Sequence, residues 1–178
     1  MTVSASVRTS HGDHVRNEVF RDAATMALYV SVVEIAELAA IPESHFAHGR
    51  VTGPVGGQLL AILWGTAIGL VLAHWFAFRV AGRAFGGERV TGLDTRIGFA
   101  QVGAGMFVAA VSSLPIVLLS DVQAQESVGD MPALLIGIVG YLIARSAGKS
   151  RVPSAFFGIT ALLLGVLVAL VKNILVAH

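Results

Sequence analysis

No cysteine occurs anywhere in the chain, which excludes disulfides, thiolate metal sites and cysteine nucleophiles. Charge is scarce as well. Only 13% of the 178 residues are Asp, Glu, Lys or Arg, against about 25% in soluble domains. A core-and-surface globule would lack the polar residues to cover itself. Recognisable chemistry is missing too: there is no internal repeat, no G-x-S-x-G, no Walker sequence and no G-x-G-x-x-G leading into a helix. The net charge of +1 suggests no nucleic-acid partner. The short loops leave no room for a soluble catalytic domain, so an enzyme is not expected, nor is a cofactor.

What the chain has is long apolar blocks. Hydrophobic residues make up 55% of it and mean hydropathy is +0.78. A spanning helix needs roughly 20 mostly apolar residues, and five segments meet or approach that: about 23–41, 58–80, 97–120, 131–144 and 154–175. The runs are too continuous for the alternating strands of a barrel, and a bilayer tolerates only helices and closed barrels. The expected fold is therefore an all-α polytopic membrane protein, a bundle of about five transmembrane helices, preceded by a tail over 1–22.

Basic residues set the expected orientation, because they mark cytoplasmic loops. The tail carries Arg8, Arg16 and Arg21, and the first loop only Arg50. The second loop has Arg79, Arg83, Arg89 and Arg96; the third, "DVQAQESVGD", has none; the fourth has Arg145, Lys149 and Arg151. Rich and poor segments alternate, as five spans with a cytoplasmic N-terminus and an outer C-terminus require. The tail lacks the short apolar core and small-residue cleavage site of a secretory signal, so the first span is expected to stay as an anchor in the plasma (inner) membrane.

Small residues suggest close helix packing. Gly65-Thr-Ala-Ile-Gly69 is a G-x-x-x-G, and Gly98, Gly103 and Gly105 follow in the third segment. Such residues let backbones approach, either inside one bundle or between copies. A bundle of five thin helices offers little interior of its own, which leans towards a homo-oligomer in the lipid bilayer.

The first segment, "MALYVSVVEIAELAAIPE", holds two carboxylates, Glu34 and Glu37. Counting from Asp22 at a rise of about 1.5 Å per residue, they lie roughly 18 and 22 Å deep, in a hydrocarbon layer about 30 Å thick. An acid there costs about 2.5–3.5 kcal/mol. Three residues apart, they share a helix face, on a stripe with Ala27, Val30 and Ile41. Facing a pore, a cavity or a neighbouring subunit, that stripe makes sense as an ion or proton pathway of Glu34, Glu37 and Ala27. The structural alternative has Glu37 snorkelling to the headgroups and Glu34 hydrogen-bonded to Ser112, Ser113 or Gln101.

Histidines offer weaker leads. His74, in "LAHWFAFRVAGR", is expected near the cytoplasmic end of the second span, at the depth of Asp22 and Arg16, as a structural group or a titrating sensor. Glu43, His45 and His48 in "PESHFAH" have a spacing that suits a metal ion but lack further fixed ligands, and His11 and His14 in "HGDH" are weaker still. No metal site is expected. Lys172 is expected to snorkel at the outer end of the last span.

"RNEVFRDAATMALYVSVVEI" resembles the opening of the transmembrane protein 175 family, lysosomal potassium channels and their bacterial relatives, whose first helix begins R-x-x-x-F-S-D. Arg16, Phe20 and Asp22 match, and Arg21 replaces the serine. "AHWFAF" is similar to the family's histidine-bearing end of helix two, with His74 the matching residue, and "SSLPIVLL" to its proline near the outside of the third span. The resemblance implies a tetramer whose first helices line a central cation pore, with Arg16, Phe20, Asp22 and His74 in a polar network at the cytoplasmic end. The family has six spans in its bacterial members and an unbroken apolar constriction, where this chain shows five spans and Glu34. The expected function is conduction or sensing of a small cation or proton, with a small non-catalytic subunit of a larger membrane complex as the alternative.

Overall fold

A computed structural model describes residues 3–41, 46–47, 50–51, 53–85 and 92–176. The chain forms helices α1 (Val3–Leu38), α2 (Gly57–Phe85), α3 (Gly92–Ser112), α4 (Leu114–Leu118), α5 (Asp121–Ser127), α6 (Asp130–Ser146) and α7 (Arg151–Val176). Between α1 and α2, strands β1 (Phe46–Ala47) and β2 (Arg50–Val51) pair antiparallel, Phe46 opposite Val51. Among the described residues, three segments are long and apolar enough to cross a membrane: Gly57–Val80, Gly92–Leu118 and Arg151–Val168. These correspond to the second, third and fifth apolar blocks, and the protein is a membrane protein by that measure.

The first and fourth blocks are also helical, in α1 and α6. Instead of stopping at the start of the apolar block, α1 runs back through the tail as one helix of 36 residues. No Gly or Pro interrupts it between Asp13 and Leu38, so every residue there keeps helical propensity without a break. It ends by tightening: Ala40 and Ile41 donate their N–H groups to the carbonyls of Glu37 and Leu38, at 3.0 and 3.1 Å. Pro42 follows in the sequence, and the residue before a proline is pushed out of the helical region.

The third block is not one helix. α3 stops at Ser112 and α4 restarts at Leu114, with Pro115 in its first turn. Proline has no N–H, so the carbonyl of Val111 has no helical donor four residues on. The third loop is also more ordered than a plain connection, since α5 occupies most of it.

α1 lies at the centre, packed against α2, α3, α6 and α7. Its inner residues Met26, Ala27 and Val30 join Ala67 and Val71 of α2, Val108 and Ala109 of α3 and Leu135 of α6 in one apolar core. Ile35 and Ile136 form a second cluster on the α6 side. The bundle thus has an interior of its own, built around the first helix.

α6 and α7 pack closest. A Cβ placed on Gly158 would lie 2.6 Å from the Gly137 carbonyl oxygen, and one on Gly140 would lie 2.9 Å from the Ala161 Cβ. Gly105 is also buried, against Val71, Val30 and Met26. Gly65 and Gly69, the G-x-x-x-G pair, have open space where a side chain would be, as do Gly98 and Gly103. The expected tight packing therefore falls mainly on other glycines.

Candidate functional site

Chain direction brings one end of three helices together: the C-terminal half of α1, the first half of α2 and the last turn of α3. α1 contributes Ser31, Glu34 and Glu37, α2 contributes Trp64 and Thr66, and α3 ends on Ser112 with Ser113 just beyond. Ser31, Glu34 and Ser112 are fully buried and Ser113 nearly so, while Glu37 is half-buried.

Glu34 is held by one bond. The Ser112 hydroxyl donates to its Oε2 at 2.6 Å, while Oε1, buried to the same degree, has no hydrogen-bond partner. The Ser31 hydroxyl, one helical turn earlier on the same face, is likewise buried and unpartnered. Glu37 accepts a hydrogen bond from the Thr66 hydroxyl. The Trp64 indole N–H donates to Ser113 Oγ at 3.0 Å, and the Ser113 hydroxyl in turn donates to the Ala109 carbonyl at 2.7 Å. Three side-chain bonds thus tie α1, α2 and α3 together around the two acids.

Buried polar atoms are almost always bonded, because a missing bond leaves the desolvation cost uncompensated by about 1–3 kcal/mol. Ser31 Oγ and Glu34 Oε1, three residues apart on one helix face, therefore leave hydrogen-bonding capacity unused. The ending of α3 adds to it. A helix C-terminus carries partial negative charge on its last carbonyls, and Pro115 deprives one more of its helical donor. The set is made of oxygen atoms, the kind of donor that hard cations take.

On the side of the site towards the start of α1, the interior is apolar. Ala27, placed by the sequence on the pathway with Glu34 and Glu37, lies in that core with Met26, Val30, Val71 and Val108. The acid-bearing face of α1 is turned to α2 and α3 of the same chain.

The second expected group lies on α1 and α2. Asp22 lies 3.5 Å from the Arg21 guanidinium beside it, and Phe20 is partly exposed. Arg16 is exposed and engaged in an interaction of its own. His74 is exposed on α2, and among the described residues no hydrogen bond or ion pair joins it to Asp22. Further along α2, the Arg79 guanidinium sits 4.8 Å from the centre of the Trp75 ring. His14 pairs with Glu18 at 3.5 Å. Glu43, His45 and His48 lie outside the described residues, as do the side chains of His11 and Lys172. Among the described residues no three His, Asp or Glu gather as a metal site would need.

Of the three partners expected for Glu34, the structure selects Ser112. Sequence reasoning missed Ser31, Thr66 and Trp64. Ser31 was within reach, since it stands three residues before Glu34; Thr66 and Trp64 depend on which face α2 turns to α1, which spacing alone does not settle. Compared with protein-family models, with curated proteins and with solved structures, the chain has no match.

Proposed function

We propose that the chain is a five-span protein of the plasma (inner) membrane, N-terminus in the cytoplasm, that conducts or senses a small cation or a proton at Glu34. The observation that carries this reading is the Glu34 carboxylate: fully buried, bonded through one oxygen only, and accompanied by the unpartnered Ser31 hydroxyl. An acid inside a membrane bundle is costly and is a functional-site signal by default.

The added spans are the apolar half of α1 and α6. They restore the alternation of basic and non-basic loops and bring Glu34 and Glu37 to the outer half of the bilayer. Ions or protons then reach Glu34 from the outer side, with the apolar core of Met26, Ala27, Val30, Val71 and Val108 as the barrier to the cytoplasm. Sensing needs only entry to the acid; conduction needs the core to part, in one chain or between copies in an oligomer.

A second reading has support of its own. The Ser112–Glu34 bond is one that a neutral structural acid also makes, and α2 leaves its Gly65 and Gly69 uncovered. A small non-catalytic subunit docking α2 on a larger complex fits both facts.

Proteoliposomes containing only this chain separate the readings. Glu34→Gln keeps size and hydrogen bonding but removes the charge, and cation attraction by a carboxylate is strong in a low dielectric. Cation or proton flux, or its dependence on pH between about 5 and 8, is expected to change with folding intact. Glu37→Gln acts in the same direction but less, since that side chain is half-buried and better screened. No flux from wild type favours the subunit; flux identical in all three proteins removes the two acids from the pathway.

A further inference from the structure

The turn joining α6 to α7 is built to hold positive charge in a fixed place. Gly148 takes the left-handed φ of +78°. Its N–H donates to the Arg145 carbonyl at 3.0 Å, and the Lys149 N–H donates to that of Ala144 at 3.1 Å. These are the two bonds of a Schellman ending, which leaves a helix by one defined path. The Arg145 guanidinium closes the same turn by donating to the Lys149 carbonyl at 2.7 Å. Lys149 thus leaves a backbone locked by three bonds, and its ammonium lies 5.6 Å from the centre of the Phe157 ring.

Beneath it is an open groove of about 530 Å³, lined by Lys149, Val152, Pro153, Phe156, Phe157 and Thr160. That volume falls within the range of small-molecule sites, about 300–1,000 Å³. The Thr160 hydroxyl is already spent on the Phe156 carbonyl, at 2.9 Å. The floor is therefore apolar, and the mouth is cationic.

The charge there is uncompensated. Arg145, Lys149 and Arg151 are all exposed, and among the described residues no carboxylate pairs with any of them. The sequence contains no Asp or Glu at all over 131–178. A cation resting on an aromatic face is attracted by the ring, and it keeps its donors for an anion. The apolar lining continues outward from the groove: Val152 is 80% exposed and Phe156 73%, and Ile159, Leu163 and Leu167 extend the same open face of α7. From Val152 to Leu167 is about 22 Å of helix, enough to follow one leaflet of a hydrocarbon layer about 30 Å thick.

We propose that this turn and the open face of α7 bind one phospholipid with an anionic headgroup. Lys149 and Arg151, with the remaining donors of Arg145, hold the phosphate, and an acyl chain lies over Val152 and Phe156. A basic pocket at the end of membrane helices is the setting in which acidic headgroups are held. A zwitterionic lipid would bring its own cation into a cluster that has no acid to receive it. A free phosphate would leave the apolar floor uncovered.

The test uses the full chain in nanodiscs or detergent with phosphatidylglycerol and phosphatidylcholine at equal mole fraction, bound lipid being counted by native mass spectrometry. Wild type is expected to retain phosphatidylglycerol about 25-fold over phosphatidylcholine, about fivefold for each of Lys149 and Arg151. Lys149→Gln is expected to lower that preference about fivefold, the value of one interfacial cation, and Lys149→Gln with Arg151→Gln to bring it to parity. Lys149→Arg keeps the preference. Phe156→Ala lowers retention of both lipids without changing their ratio. Equal retention by wild type, an unchanged preference in the double variant, or its loss in Lys149→Arg overturns the proposal. Displacement of the lipid by millimolar inorganic phosphate also overturns it, by making the site one for a free anion.

Discussion

The two sides of the bundle are held together by different means. α6 and α7 meet through glycines: Gly137, Gly140 and Gly158 bring the backbones together, and Gly165 receives Ile136. Among the described residues no side-chain hydrogen bond joins those two helices. α1, α2 and α3 meet through an apolar core topped by three side-chain bonds, from Ser112 to Glu34, from Thr66 to Glu37 and from Trp64 to Ser113. The first side shows that close packing of membrane helices needs no polar groups, in keeping with small residues that let dispersion act at short range. On the second side Glu34 and Glu37 accept interhelical hydrogen bonds of a kind that α6 and α7 do without.

The comparison breaks most visibly at Gly158. Gly158→Val drives a branched side chain against the Gly137 carbonyl, where even a Cβ would lie at 2.6 Å. Overpacking costs about 1–3 kcal/mol, and backbone on both sides leaves little room to relax, so the upper end is expected. Thermal unfolding of the purified chain checks it. A wild-type melting temperature would mean that α6 and α7 do not approach this closely.

A smaller loss is expected on the polar side. Ser112→Ala leaves Glu34 with neither oxygen bonded. Interhelical hydrogen bonds in membranes are worth about 0.6 kcal/mol on average and at most about 1.7, so destabilisation in that range is expected. Combining it with Glu34→Leu sharpens the point, since a bond already lost cannot be lost twice. If the two changes simply add in an unfolding titration, the Ser112–Glu34 bond is not the source of the effect.

The smallest effect belongs to α2. Gly65→Leu meets open space, because nothing lies within 4 Å of the added Cβ. Stability of the single chain is expected to stay within about 0.5 kcal/mol. Oligomer size by light scattering is the informative readout: a drop would identify this face of α2 as an interface between copies, and an unchanged size would leave it to lipid or another protein.

Much of the helix layout was legible, because a run of apolar residues long enough to cross a bilayer is a property of the chain read in one dimension. All five apolar blocks fall in helices, and three of them meet the length and hydropathy of a span. The break at Ser113 was signalled by the "SSLP" stretch yet read through, since a proline in the first turn of a new helix and one inside an old helix look alike in sequence. α5 escaped because a helix of seven residues in a polar loop carries no apolar run. Which glycines touch was not legible at all. Gly65 and Gly69 have the familiar spacing and stand open, whereas Gly158 finds its partner only once α7 is turned towards α6. Depth alone brought His74 level with Asp22, but rotation about the helix axis decides whether two residues meet.

The length of α1 has a mechanical consequence. From Glu18 to Glu34 is about 24 Å of helix, with no glycine or proline to act as a swivel. Kinks arise at such residues or at inserted groups, so this stretch transmits torque as a stiff shaft. A rotation of this stretch as one body turns the Glu34 carboxylate and the His14–Glu18 pair together.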